Sequence, residues 1–174
     1  MKKIKLSATQ EKLYKVLKFL VIFNLLAIPL HIILYFDINL YPLASLEQKQ
    51  ASFILNLFGV SHTLQEVTYL HGNLPAISVK NKVLAIGEPC TAMRSILAFI
   101  ALVFASPRKL KDKGKAMIYI PVIYAANIGR IVTLAFVSLT YPSLFEFIHI
   151  FLWREGLVAL IILLWVYWFN HSSR

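Results

Sequence analysis

Cysteine occurs once in the 174 residues, at Cys90, so no disulfide can form within the chain and a disulfide scaffold is excluded. Acids are nearly as sparse: 8 Asp and Glu stand against 18 Lys and Arg, and charged residues make up only 15%. Ordinary soluble domains carry about 25%. With 6 glycines and 7 prolines there is no collagen repeat and no low-complexity linker. What fills the chain instead is apolar, at 59%, which excludes disorder and argues against a soluble globular enzyme. The length fits one domain. At roughly 20 apolar residues per bilayer crossing, it has room for about four helices and a modest piece outside. The reading is an all-α polytopic membrane protein.

Four apolar segments are candidate spans: about residues 19–36, 90–106, 116–139 and 150–169. The first lacks a small-residue cleavage site and is expected to remain attached. Trp165, Tyr167 and Trp168 close the last, as interfacial aromatics do. Lysines crowd the N-terminal segment, and Arg108, Lys109, Lys111, Lys113 and Lys115 crowd the loop between the second and third spans. The loop from Thr140 to His149 has neither Lys nor Arg. Basic flanks lie on the cytoplasmic side, so both termini are expected there, in a plasma-membrane protein with residues 37–89 facing outward.

That outward segment is neither Gly/Ser-rich nor strongly charged. Phe53, Ile54, Leu57 and Phe58 have helical spacing, which suggests a short helix on the membrane surface. Val67–Leu70, Ala76–Val79 and Val83–Ile86 are β-prone. His71-Gly72-Asn73 and Lys80-Asn81-Lys82 separate them as turns, giving a small hairpin or three-stranded meander.

Charge inside a span is costly, by roughly 2.5–3.5 kcal/mol on insertion scales. Arg130 is therefore expected to face the bundle interior and a polar partner, with Asn127 at i−3 on the same face. The plain alternative is an arginine that ties helices together. Cys90 follows Gly87-Glu88-Pro89, and proline suits a first helical turn, so the thiol is expected in the first turn of a helix. A helix N-terminus and Arg94 at i+4 would both favour a thiolate; the bland reading is a small buried hydrophobe. His149 opens the last span at the depth of Cys90, where an imidazole can serve cysteine acyl transfer. His31, His62 and His71 are scattered without metal-ligand spacing, and neither metal nor cofactor is expected.

Gly87-Glu88-Pro89-Cys90-Thr91-Ala92, then Asn127-Ile128-Gly129-Arg130, then His149 resemble the exosortase/archaeosortase family of membrane cysteine transpeptidases, over about Val83 to Trp168. Ala92 stands where the family pattern has glycine, so the local turn is expected to differ. The resemblance implies cleavage of surface or secreted proteins at a C-terminal sorting signal: a motif, a transmembrane helix and a basic cluster. The acyl group would pass through a thioester on Cys90 to an acceptor, a membrane lipid. It also implies Cys90 as nucleophile, Arg130 at the oxyanion and His149 as proton donor, with Arg154 competing for the third place. Asn127 would orient Arg130, and on electrostatic grounds Arg94 would support Cys90.

Two other readings stay open. One is a non-catalytic membrane scaffold or assembly protein; the other is a cysteine protease that hydrolyses without transfer. Nucleic acid is excluded as a partner, because the basic residues follow span flanks and form no aromatic-lined patch.

Overall fold

The computed structural model describes residues 7–36, 38, 40–69, 72–80 and 82–172. Helix α1, Ala8–Leu26, opens on a capping box: Ser7 Oγ accepts from the Gln10 amide at 3.3 Å, and Gln10 Oε1 accepts from the Ser7 amide at 2.8 Å. The first expected span does not run on as one helix. It breaks at Ala27 and resumes as α2, Ile28–Tyr35, with Pro29 in the first turn. Proline lacks the N–H and its ring collides with the preceding turn, which ends α1 there.

Helix α3, Tyr41–Leu57, is longer than its apolar stripe suggests; Ile54 of that stripe packs on the protein core, and a further set of residues is fully buried. Ala44, Glu47, Gln48, Ala51, Ser52 and Leu55 point inward at helical spacing, while Phe53, Leu57 and Phe58 are exposed. A face so rich in small and polar residues packs only where its polar groups find partners. Gln48 Nε2 supplies two of these bonds, to the carbonyl oxygens of Ala76 at 2.7 Å and Gln65 at 3.2 Å. Ser52 Oγ meets His62 Nε2 at 2.6 Å, and His62 Nδ1 donates to the Val60 carbonyl at 2.8 Å.

The strands form a meander in the order β1 (Thr63–Tyr69), β2 (Gly72–Val79), β3 (Lys82–Ala85), all antiparallel. β1 and β2 begin earlier than the β-prone runs. Gly72, Asn73 and Lys82, expected in the turns, belong to strands instead; His71 and Asn81, and Leu70 at the end of the first run, lie outside the described residues. Central β2 buries Pro75, Ala76, Ile77 and Val79 against α3 and the later helix α6 (Ile120–Thr140). Replacing Gln48 by alanine would remove the side-chain donor that both carbonyls accept from in addition to their ladder partners. The expected cost is about 2 kcal/mol, read as a lowered unfolding midpoint in detergent.

The remaining helices are α4 (Met93–Ala105), α5 (Leu110–Ala116), α6, a three-residue turn α7 (Phe145–Phe147), a π-helical stretch Ile148–Glu155, and α8 (Gly156–His171). Among the described residues, two continuous helical stretches, Leu110–Thr140 and Pro142–His171, are long and apolar enough to cross a membrane; Met93–Ala105 is apolar but shorter. Phe99, Val103, Ile123, Ile161 and Trp168 form the core between α4, α6 and α8. Trp168 is thus no interfacial aromatic: it is 5% exposed, and its indole donates to the Asp112 carbonyl at 3.0 Å. The basic loop also has a local task. Arg108 Nη2 donates to the Phe169 carbonyl at 2.6 Å, and Lys113 Nζ to the Phe104 carbonyl at 2.7 Å, placing cations at the ends of α8 and α4.

Candidate functional site

The site begins where β3 runs out. The Ile86 amide still bonds the Pro75 carbonyl at 2.8 Å, and a single 3-10 turn over Glu88–Cys90 follows, closed by the Cys90 amide on the Gly87 carbonyl at 2.9 Å. Cys90 is therefore not in the first turn of α4; it precedes the N-cap residue Ala92 by two positions. The proline that suits a helix start equally suits this tighter turn. Ala92 has φ −66°, an ordinary right-handed conformation, so glycine is not required there.

α6 brings Asn127 and Arg130 against this turn from one side. Asn127 is fully buried, and its Nδ2 donates to the Cys90 carbonyl at 2.9 Å. Arg130, 6% exposed, aims Nη1 at the Pro89 carbonyl at 3.4 Å. The two residues thus hold the backbone of the Pro89-Cys90 segment while the half-buried thiol stays in the cleft. Arg130 Nε and Asn127 Oδ1 are buried with no hydrogen-bond partner among the described residues. Buried polar atoms are almost always paired, so two orphans beside one cysteine mark the place as unusual.

From the other side comes a residue the sequence did not single out. Glu47 of α3 is completely buried; its Oε1 accepts from the Ala92 amide at 2.9 Å and its Oε2 from Asn127 Nδ2 at 3.1 Å. Burial pushes its carboxyl up to about 7, against the opposing pull of the Ala92 amide and the Arg130 charge. Cys90 therefore sits within electrostatic reach of Arg130, Arg94 and the Glu47 carboxyl, a more balanced charge environment than a helix end and an arginine alone. The available signal for Glu47 was the inward spacing of Ala44, Glu47, Gln48 and Ala51, which the more conspicuous phenylalanines outweighed.

His149 comes from a third element, the π-helical stretch, whose widened turns recur at functional sites. The imidazole is half-buried, with its ring 5.8 Å from that of Phe145. Arg154 lies in the same stretch, and its side chain is outside the described residues. Cys90, Arg130 and His149 all line one cleft of about 290 Å³, walled by residues Val83 to Ile86, Ile131, Leu134 and Phe145, with Glu146 at its side. Arg94, the second residue of α4, is half-buried and does not line this cleft. His31 is exposed on α2, and His62, held by the Ser52 contact, does not line the cleft.

No curated protein and no solved structure matches this chain. A family model does, that of the transmembrane exosortases, from residue 4 to residue 169. The match takes in α1, α2 and α3 as well as the Cys90, Arg130 and His149 segments. The chain belongs to the transmembrane exosortase family.

Proposed function

We propose that the protein cleaves C-terminal sorting signals of surface or secreted proteins through a thioester on Cys90 and hands the acyl group to an acceptor, a membrane lipid. The observation that carries this reading is the convergence of Cys90, Arg130 and His149, from three separate elements, on one cleft. His149 takes the thiol proton as sulfur adds to the substrate carbonyl carbon. Arg130 donates to the oxygen that becomes an anion; a preorganised charge in a dry site contributes a few kcal/mol there. The tetrahedral species collapses, the C–N bond breaks, and the His149 proton goes to the departing amine. The acceptor's nucleophilic group then adds to the thioester and gives up its proton, the C–S bond breaks, and the thiol is restored.

In this proposal the chain crosses the membrane four times, with both termini and the basic loop 108–115 in the cytoplasm and the cleft at the outer face. Asn127 is a positioning residue, holding the Cys90 backbone rather than touching substrate. The same bonds favour the scaffold reading, in which Asn127 and Arg130 only fasten a turn to α6.

Cys90→Ala separates the two. Mass spectrometry of surface-protein C-termini in cells carrying this variant is expected to find precursors that keep their final transmembrane helix, against trimmed C-termini in the wild type. Trimming that continues unchanged overturns the transpeptidase reading. A lipid on the new C-terminus marks transfer, and a free carboxylate marks hydrolysis.

A further inference from the structure

β3 is an edge strand, and its free edge lies in the same cleft as the cysteine. The register fixes which backbone groups that edge presents. Ile86 donates to the Pro75 carbonyl at 2.8 Å, which makes Pro75 and Ile86 a hydrogen-bonded pair. In an antiparallel ladder such pairs alternate with non-bonded ones. Leu84 opposite Ile77 and Lys82 opposite Val79 are therefore bonded pairs; Ala85 opposite Ala76 and Val83 opposite Ser78 are not. The N–H and C=O groups of Val83 and Ala85 consequently point away from β2. Both residues are exposed, Val83 at 50%, and neither has a backbone partner among the described residues beyond β2.

We infer that this edge is the substrate-docking surface: the segment next to the scissile bond lies along β3 as a fourth, extended strand, exchanging main-chain hydrogen bonds with Val83 and Ala85. The inference rests on the transpeptidase reading of Cys90. An unpaired row of alternating donors and acceptors is a ready template for another extended backbone. β3 leads directly through Gly87 into the turn that carries Cys90, so a strand paired with it is delivered toward the thiol. Four residues at about 3.3 Å each span roughly 13 Å, the length of a short motif rather than of a folded domain. Main-chain pairing is indifferent to sequence. Selectivity then falls to alternate side chains, which meet the apolar walls Ile131, Leu134 and Phe145 and the carboxylate of Glu146.

The test uses the full chain in membranes and follows adducts on Cys90 by mass spectrometry. The probes are iodoacetamide, methyl vinyl sulfone, a randomised mixture of tetrapeptidyl vinyl sulfones, and the same mixture N-methylated at positions one and three or at positions two and four. The peptidyl mixture is expected to label at least about ten-fold faster than methyl vinyl sulfone. Methylation in one parity is expected to remove that advantage and in the other to leave it, because only alternate amides of a paired strand face its neighbour. Ala85→Pro deletes an N–H that the sheet does not use, at an edge position where proline is tolerated. It is expected to lower the ratio of peptidyl to iodoacetamide labelling about ten-fold; the ratio corrects for any change in the thiol itself.

Equal labelling by both methylated mixtures, or no advantage of peptide over methyl vinyl sulfone while iodoacetamide still reacts, overturns strand addition and leaves the nucleophile standing. An Ala85→Pro effect on oligomeric state alone would assign the edge to a second copy and also overturn it. A Cys90 inert to every probe removes the transpeptidase reading, and this inference with it.

Discussion

Arg130→Ala is expected to lower turnover of a sorting signal by about 10²–10³-fold while Cys90 remains open to iodoacetamide. The size follows from where the guanidinium stands. It is buried, lines the cleft beside Cys90, and keeps Nε without a partner among the described residues. A donor fixed before the substrate arrives needs no reorganisation when the carbonyl oxygen takes up charge, which is why removing one such donor typically costs about 3 kcal/mol of barrier. Arg130→Lys should rescue poorly, because a single ammonium cannot reach the Pro89 carbonyl and the cleft with separate donors. The variant also removes a cation near the buried Glu47 carboxyl, so stability is measured alongside. If Arg130→Ala folds and trims C-termini at the wild-type rate, Arg130 is a helix tie and the scaffold account of this residue holds. If Arg130→Lys restores full turnover, charge alone is at work and the geometric argument fails.

The parts of the site that sequence reveals are those governed by local spacing. Asn127 and Arg130, three apart, had to share a face of any helix, and a charge amid apolar residues had to turn inward; both hold. The ends of β2 were legible because Gly72, which opens it, and Lys80, which follows it, take positive φ, at 127° and 51°. Glu47 was not legible in this way. Its partners Ala92 and Asn127 lie 45 and 80 positions away, and no local rule says which face of α3 would turn toward them. Hydrophobic periodicity drew the eye to Phe53, Leu57 and Phe58, which the protein leaves exposed, because it reports where apolar side chains lie and not whether lipid or protein covers them. The same blindness put Trp168 at an interface: an indole can close a span or fill a core, and only the Asp112 carbonyl decides between them. The break at Ala27 shows the opposite case, where Pro29 was visible but the apolar run around it suggested continuity.

Glu47→Ala is expected to produce the largest loss of stability of any single change at the site, about 3 kcal/mol or more, together with a drop in peptidyl labelling of Cys90. Two donors converge on this one carboxyl group, the Ala92 amide and Asn127 Nδ2, each on its own oxygen, and both oxygens keep acceptor lone pairs whether or not the group holds a proton. Truncation leaves both donors and the Arg130 charge buried without it. Glu47→Gln keeps the shape but offers one acceptor, so one donor must give way. If Asn127 rotates to use its unpartnered Oδ1, it withdraws Nδ2 from the Cys90 carbonyl. Glutamine should therefore recover stability better than reactivity, a split that a purely structural glutamate would not give. The pH dependence supplies an independent measure. Burial raises the Glu47 carboxyl from 4.5 to about 7, so between those values the folded chain holds a proton that the unfolded chain has released. Stability from this group is fully present below pH 4.5 and declines as pH rises toward about 7, by up to about 3 kcal/mol. Denaturation in detergent at pH 5 and pH 8 should show that decline in the wild type and a flatter profile in Glu47→Gln. A wild type equally stable at both values, or a glutamine variant that keeps the whole slope, would mean that the Glu47 carboxyl is ionised throughout and that Arg130 compensates its burial completely.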